Sequence, residues 1–234
     1  MMFPPILEQQ QADISEMWTI FKIDQDAPIS LRAIWPKGVP GSKPVKNITF
    51  NAATYPNLVD RQKAFEQSAI RLNHIGYNIY IVKNPINPTF AGDEYNGLAV
   101  KDADIKCRRL LLVDIDRAVT DQPATQAEME DIYDFGCVNI EGPYFYDNDL
   151  EPMVVCSGNG VHIYFPLDDV PNDEDEKSVC RNFLLGLARK HDTAHIKIDT
   201  SVYNAARITK VPGTVARKGL ETEDRKYRMA SVLG

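Results

Sequence analysis

Residues 109–116 read RLLLVDID, an apolar run followed by two aspartates that one isoleucine separates. A continuous apolar run of this kind is typical of a strand that is covered on both faces. Side chains at positions i and i+2 of a strand point to the same face, so Asp114 and Asp116 should project side by side. The segment therefore predicts a buried central strand that carries a pair of carboxylates at its end.

Asp114 and Asp116 have two interpretations. Two close carboxylates repel each other and are costly to remove from water. Mg²⁺ and Mn²⁺ prefer oxygen ligands, so a divalent cation bound by both would remove that cost. A strand that simply ends in solvent would carry the same two residues as ordinary surface aspartates, and the pair alone leaves both interpretations open.

Downstream, residues 157–162 read SGNGVH. Glycine lets the backbone approach a ligand closely, and the exposed N–H groups of such a turn can bind an anion. The residues that could hold a triphosphate here are Ser157, Gly158, Asn159, Gly160 and His162. The alternative is a tight hairpin turn followed by a core histidine, and the segment lacks the GK[ST] of a P-loop.

Asp199 follows a second short apolar strand that ends at Ile198. A third carboxylate close to the first pair would complete a site for two metal ions. Beyond it, Arg207, Lys210 and Lys218 could face the phosphates of a nucleotide or of a nucleic-acid backbone. Alternatively, Asp199 caps the turn at residues 200–204 and Arg207 is a surface residue.

Further secondary structure is indicated by helix signals. Apolar spacing predicts a helix over Leu58–Ile75 with Gly76 as its C-terminal cap. Thr125 and Glu128 form a capping box, which predicts a helix from about Gln126 to Phe135. The remaining predicted elements are a helix over Asp173–Lys190 and strands over Met17–Ile23, Ser30–Trp35, Ile48–Ala52, Tyr77–Val82, Met153–Cys156, Val161–Phe165 and His195–Ile198. This mixture predicts an α/β or α+β fold.

Composition bounds the class of protein. The chain has 234 residues, of which 44% are hydrophobic, enough for one large domain or two small ones packed together. Its four cysteines are scattered without a C-x-x-C pair, which argues against a disulfide framework and a compact zinc site. Because we find neither a signal peptide nor an apolar run of about 18–20 residues, we expect a cytoplasmic protein without a membrane partner.

The charge of the chain is unevenly distributed. A net charge of -7 speaks against a general nucleic-acid coat protein. However, basic residues outnumber acidic ones in residues 207–228, and such a strip can bind phosphates while the whole protein stays acidic. A solvated surface without a ligand is the alternative interpretation of that strip.

The order of these motifs resembles the archaeo-eukaryotic primase (AEP) superfamily, in the form of the primase-polymerases of phages and plasmids. Those proteins carry D-x-D at a strand end, then a small-residue turn leading to a histidine, then a hydrophobic residue followed by aspartate. The resemblance extends over roughly residues 76–228 and includes residues 81–88, 102–105 and 199–218.

The resemblance implies one catalytic domain with an AEP-like core. An N-terminal αβ module, about residues 1–100, would pack on an RRM-like module, about residues 101–234, with the active site in the cleft between them. Asp114, Asp116 and Asp199 would be catalytic ligands of two divalent ions, Mg²⁺ or Mn²⁺. His162 and the turn before it would contact the triphosphate of the incoming nucleotide, with Arg207 nearby.

The implied function is that of a DNA primase-polymerase, which transfers nucleotides by a two-metal mechanism in the replication of a mobile element. Its partners would be a single-stranded DNA template, a primer strand, NTP or dNTP, and a helicase domain or protein outside this chain. Two alternatives stay open at this point: a metal-dependent phosphodiester hydrolase, and a catalytically silent nucleic-acid-binding replication module.

Overall fold

The computed structural model describes residues 5–144 and 151–233. Its helices are α1 (Pro5–Ile20), α2 (Leu58–Ile75), α3 (Gln126–Gly136) and α4 (Glu174–His191), with a π-helical turn, Cys137–Glu141, after α3 and a 3-10 turn, Asp102–Asp104. Its strands are β1 (Ile29–Ile34), β2 (Lys46–Phe50), β3 (Asn78–Val82), β4 (Arg108–Arg117), β5 (Met153–Cys156), β6 (Val161–Val170), β7 (Ile196–Ile198), β8 (Ile208–Lys210), β9 (Val215–Ala216), β10 (Arg228–Met229) and β11 (Ser231–Leu233).

Two large antiparallel sheets hold nine of these strands, and β9 pairs with β10 in a separate two-stranded sheet. The first has the order β2-β1-β3-β8 and packs against α2, and the second has the order β11-β5-β6-β4-β7 and packs against α3 and α4. β8 lies between β7 and β11 of the second sheet in sequence but completes the first sheet, where Thr209 lies opposite Ile81. The chain is therefore a mixed α/β protein, as the sequence predicted, and its two sheets are interleaved along the sequence.

One hydrophobic core joins the two sheets. α1 and the residue after it bury Ile14, Met17 and Phe21, each at most 2% exposed, between the sheets. The ring of Phe21 meets Tyr164 of β6 edge to face, with 5.3 Å between centroids. Each such side chain contributes roughly 1.5–3 kcal/mol on burial, which stabilises the packing of α1 on α2 and β11.

The helix boundaries follow from local capping chemistry. The Asn57 side chain accepts a hydrogen bond from the N–H of Val59 at the start of α2, and Gly76 ends that helix in the left-handed region with φ 112°. At α3, Thr125 and Glu128 form the predicted reciprocal capping box. The sequence predictions for these helices are confirmed, to the residue for α2 and within one residue at the end of α3.

The predicted strand over Met17–Ile23 is wrong, because this segment lies mostly in α1. Ile14, Met17 and Phe21 recur at three- and four-residue spacing, which places them on one buried helical face. A window that begins at Met17 is too short to distinguish that period from the alternation of a strand. No helix in the described ranges combines the length and the apolar character needed to cross a membrane.

Candidate active site

The carboxylates of Asp114 and Asp116 lie on one face of β4, at the floor of a cleft of ≈ 340 Å³ between the two sheets. The side chains of Asp114 and Asp116 are 23% and 33% exposed to solvent. β4 lies between β6 and β7, so its side chains are flanked on both sides by other strands. The predicted central strand with a carboxylate pair is therefore present, and the pair faces a cleft rather than open solvent.

The two carboxylates are poorly compensated. Burial, followed by the charge of Asp199, raises the pKa of Asp114 to about 7, and burial, followed by Asp114, raises that of Asp116 to about 6. The basic groups beside them are Nε2 of His162, 3.5 Å from Asp114 Oδ1, and Nζ of Lys218, 3.8 Å from Asp116 Oδ2. Both distances exceed a good hydrogen bond of about 2.7–3.2 Å, so Lys218 is an ion-pair partner of Asp116 without a hydrogen bond, and the group beside Asp114 is the ring of His162.

His162 lies opposite Asp114 on β6 and is held from behind. Its Nδ1 lies 3.2 Å from the hydroxyl of Tyr164 and 3.0 Å from that of Thr209, and the two hydroxyls also contact each other. Burial lowers the pKa of His162 to about 4, against the raising influence of Asp116. A hydroxyl that donates to Nδ1 leaves the proton of the neutral ring on Nε2, which then faces the cleft as a donor.

Asp199 is brought beside the pair by its backbone. Its N–H donates to the carbonyl oxygen of Asp114 at 2.8 Å, which continues the pairing of β7 with β4. Its carboxylate is exposed, and Oδ1 accepts a hydrogen bond from the N–H of Ser201 at 2.8 Å. Asp199 therefore does cap the turn after β7, as the alternative interpretation held.

Asp114 and Asp116 differ from Asp199 in how well their side chains are placed to bind a metal ion. Within residues 5–144 and 151–233, no three His, Cys, Asp or Glu side chains stand close enough together to hold a metal ion. The chemistry of Asp114 and Asp116 nevertheless fits a hard divalent cation, because both are oxygen donors whose charge burial penalises. Asp199 lies next to them and would complete a three-carboxylate set by turning its side chain away from Ser201.

The turn at residues 157–160 is shaped by its glycines. Ser157 Oγ donates to the carbonyl of Gly160 at 3.0 Å and accepts from its N–H at 3.1 Å, which closes the turn. A Cβ on Gly160 would stand 2.7 Å from Asp116 Oδ1, and one on Gly158 would stand 2.6 Å from the Cβ of Ala216. Ser157 and Asn159 line the cleft, whereas the glycines let the turn pack against β4 and β9.

Basic side chains form the opposite wall of the cleft, and Lys210, Arg217 and Lys218 all line it. Lys210 is 4% exposed, and its Nζ donates to the carbonyl of Val215 at 3.2 Å. Burial, together with the charge of Arg217, holds the pKa of Lys210 well below its usual range. An anion bound in the cleft would give Lys210 a charged partner in addition to the Val215 carbonyl. It would also offset the repulsion between Lys210 and Arg217.

Two findings were not anticipated from the sequence. Arg207 lies in a neighbouring pocket rather than in this cleft, and its Nη2 donates to the carbonyl of Ser201. Arg217 and Tyr80 line the cleft, although neither was singled out. Tyr80 could have been found only from strand register, because β3 pairs it with Lys210 of β8.

The two sheets and their shared charged cleft define a mixed α/β protein whose candidate site lies between antiparallel sheets. No family model matches the sequence, and no curated protein is similar to it in sequence. Three solved structures resemble the fold, each at 14–15% sequence identity.

The AEP domain of the cyanophage S-2L primase-polymerase (PrimPol) matches with a TM-score of 0.53 and 15% identity, over 96% of this chain and 89% of that chain. Primase RepB' matches with a TM-score of 0.51 and 14% identity, over 96% of this chain and 56% of that one. The polymerase domain of Mycobacterium tuberculosis Ligase D, in complex with DNA, matches with a TM-score of 0.51 and 14% identity, over 91% and 76%. The chain therefore shares the fold of these three structures, which confirms, at the level of the fold, the resemblance found in the sequence.

Proposed function

We propose that the protein is a DNA primase-polymerase, which joins nucleotides on a single-stranded DNA template by nucleotidyl transfer. The observation that carries this proposal is the charge arrangement of the cleft. Among the described residues, Asp114 and Asp116 share one ion-pair partner, Lys218 at 3.8 Å from Asp116, while Lys210 and Arg217 form no ion pair with an acidic side chain. A nucleoside triphosphate bound with divalent ions would neutralise both walls at once.

Asp114, Asp116 and Asp199 would hold two ions, Mg²⁺ or Mn²⁺, and so act as the catalytic carboxylates. When bound, such ions lower the pKa of an attacking 3′-hydroxyl and neutralise charge on the departing pyrophosphate. The backbone positions of the three aspartates are held by strand pairing within the second sheet, while the side chain of Asp199 has to rotate to join the other two. The protein would therefore contribute mainly positioning and electrostatic stabilisation.

His162 would serve as a hydrogen-bond donor to the triphosphate rather than as a general base. Its pKa of about 4 keeps the ring neutral at pH 7, and its Nδ1 is already engaged by hydroxyl groups. Donation from Nε2 would cost no rearrangement, because Thr209 and Tyr164 hold the ring in place.

The remaining phosphate contacts would come from Lys210, Lys218 and the turn around Ser157 and Asn159. Gly158 and Gly160 would act by allowing that turn to lie close to β4. Arg207 would reach the nucleotide or the nucleic acid from the adjoining pocket. Among these side chains, Lys210 would gain most from a bound phosphate, because it is buried and its hydrogen-bond partner is an uncharged carbonyl.

At the scale of the domain, the N-terminal αβ module and the RRM-like module would enclose the DNA and the nucleotide between them. The similar structures include a phage primase-polymerase and a polymerase domain solved with DNA. The likeness to a phage protein supports a role in replicating a mobile element, and the domain solved with DNA supports DNA as a partner. A primer strand and a separate helicase would be further partners.

The deciding experiment measures nucleotide incorporation on single-stranded DNA with and without an annealed primer, in Mg²⁺ and in Mn²⁺. The wild-type protein should give metal-dependent product that an Asp114→Ala/Asp116→Ala protein does not form. Product without a primer would make the enzyme a primase as well as a polymerase. Cleavage of the DNA in place of synthesis would favour a hydrolase, and binding without any reaction would favour a silent module.

A further inference from the structure

A second pocket of ≈ 420 Å³ adjoins the candidate active site. Its floor is the face of the first sheet that α2 does not cover, and Ser30, Val82 and Ile208 contribute to it. Its walls come from residues 100–102 and 204–207. The pocket thus combines a partly apolar floor with a polar rim.

Arg32 of β1 projects into this pocket without a partner. Its Nε is buried without a hydrogen-bond partner, and it forms no ion pair with any acidic residue in the described part of the chain. Arg109, Arg117 and Arg225, in contrast, each pair with a carboxylate. A half-buried guanidinium that lacks an anion is costly, so the geometry favours a ligand that supplies one.

The charge of the pocket is positive. Lys101 and Arg207 line it together with Arg32, and Asp102 is the acidic residue among its lining. The carboxylate of Asp102 is already engaged, because Oδ1 accepts a hydrogen bond from the N–H of Ala206 at 2.8 Å. Nε of Arg207 is likewise buried without a partner. Two arginines therefore lack a full set of acceptors around one pocket.

A row of side chains connects the pocket with the catalytic cleft. The register of the first sheet places Arg32 opposite Tyr80, and Tyr80 opposite Lys210. Directly opposed residues share one face of a sheet, and the row from Arg32 to Lys210 crosses two strand spacings, about 10 Å. Tyr80 thus lies between the pocket and the cleft, and a base could stack on its ring.

We propose that this pocket binds a phosphodiester group of a nucleic-acid strand whose end enters the cleft. Arg32 holds the phosphate by charge and by the fork geometry of its guanidinium, and the floor at Val82 and Ile208 receives the sugar. The statement that the end of the strand enters the cleft rests on the proposed function. The phosphate site itself does not, because it is inferred from Arg32 and the basic residues beside it. A second nucleoside triphosphate would offer the same phosphate chemistry, and the experiment distinguishes the two sources.

The test measures binding of a fluorescent oligothymidylate without metal, over a series of salt concentrations, for wild type, Arg32→Gln and Arg71→Gln. Arg71 is an exposed arginine on α2, which covers the opposite face of the same sheet, so it controls for loss of one positive charge. Arg32→Gln should weaken binding about tenfold and reduce the salt slope by about one, because one charged phosphate contact is lost. Arg71→Gln should behave as wild type.

A second arm measures binding of dATP in the presence of Mn²⁺ to the same proteins, with circular dichroism as the check on folding. Arg32→Gln should bind dATP within about twofold of wild type, because its contact is to the strand. Unchanged oligothymidylate affinity, or a loss confined to dATP, would overturn the proposal. Because the first arm needs neither metal nor catalysis, an inactive enzyme would not affect its outcome.

Discussion

At the scale of single residues, the paired aspartates of β4 determine how stability responds to pH. The folded pKa of Asp114 and that of Asp116 lie above the value near 4 of an unfolded aspartate. At these two residues the folded protein therefore binds more protons than the unfolded chain between about pH 4 and 7. Their contribution to the free energy of unfolding falls as pH rises through that window, and a bound divalent ion reverses the loss. His162, whose pKa is lowered to about 4, acts in the opposite direction, so the contribution of the aspartates is isolated by comparing wild type with a variant of the pair.

We expect this pair to lower the Tm of the metal-free protein by about 4–8 °C between pH 5 and pH 8, which corresponds to about 2 kcal/mol after solvent screening. Asp114→Asn should lose most of that difference and should melt higher than wild type at pH 8. Mn²⁺ should raise the Tm of wild type at pH 8 and leave the variant almost unchanged. Equal pH dependence in both proteins would contradict the assignment.

A second residue-scale prediction concerns Gly160, whose missing Cβ makes room for the backbone and carboxylate of β4. A Cβ there would stand 2.3 Å from the carbonyl oxygen of Ile115, so Gly160→Ala should cost about 1–3 kcal/mol and displace Asp116. Urea unfolding and Mn²⁺ affinity would measure the two effects.

Gly186 of α4 is the matched control for that substitution, because a Cβ added to it meets no atom within 4 Å. Gly186→Ala should therefore stabilise the protein by about 0.5–1 kcal/mol, as alanine does within an exposed helix. If both substitutions had the same effect, crowding at Gly160 would not be the cause.

At the scale of elements, the loop from Asp199 to Arg207 is held by hydrogen bonds from Asn84, which follows β3, and from Arg108 of β4. Nδ2 of Asn84 donates to the carbonyl of Ala205 at 2.9 Å, and Nη1 of Arg108 donates to that of Tyr203 at 2.8 Å. With the bond from Ala206 to Asp102, these contacts hold the loop that follows the third aspartate.

We expect Asp102→Ala to loosen this loop and to weaken Mn²⁺ binding at the candidate site by up to about tenfold, the lower end of the effect of losing a direct partner of a metal ligand, because Asp102 holds the loop beyond Asp199 rather than Asp199 itself. Asp102→Asn keeps an oxygen acceptor for the N–H of Ala206 and should restore most of the affinity. Isothermal titration with Mn²⁺ distinguishes the variants. Two variants that bind alike would show that the loop needs no anchor.

The elements also show what the sequence could predict. β4, α2 and α3 were predictable because an apolar run, a capping glycine and a capping box are local signals. α1 was not, since its buried face is spread over residues 14–21 and its C-terminal end, from Met17, resembles a strand. β8, with three residues, has no period of its own, and only its pairing with β3 makes it a strand.

The site was predictable to a similar extent. Asp114 and Asp116 follow from the strand period, whereas the position of His162 opposite Asp114 depends on the pairing of β6 with β4, which the turn between β5 and β6 does not set. The side chain of Asp199 depends on a competing bond to Ser201, and the positions of Arg207 and Arg32 depend on packing between distant segments. Such long-range contacts leave no periodic trace in the sequence.

At the scale of the whole molecule, a hydrophobic core shared by the two large sheets couples them, and so does β8, which pairs with the first sheet although it lies between β7 and β11 of the second in sequence. We expect urea unfolding to be a single transition. Trp18, packed on Phe65, and Trp35, packed on Tyr77, report on the first sheet by fluorescence, and circular dichroism reports on all helices and strands. The two signals should give the same midpoint, whereas separate midpoints would indicate modules that unfold independently.

Because β8 completes the first sheet, the N-terminal part of the protein cannot be produced intact by cutting the chain before β8. A protein truncated near residue 100 would keep α1, α2 and the first three strands but lose the neighbour that covers β3. The exposed edge of β3, with Ile79, Ile81 and Val82, would then be free to pair with other molecules. Such a fragment should aggregate, and a synthetic peptide that spans residues 206–212 should improve its recovery from cells.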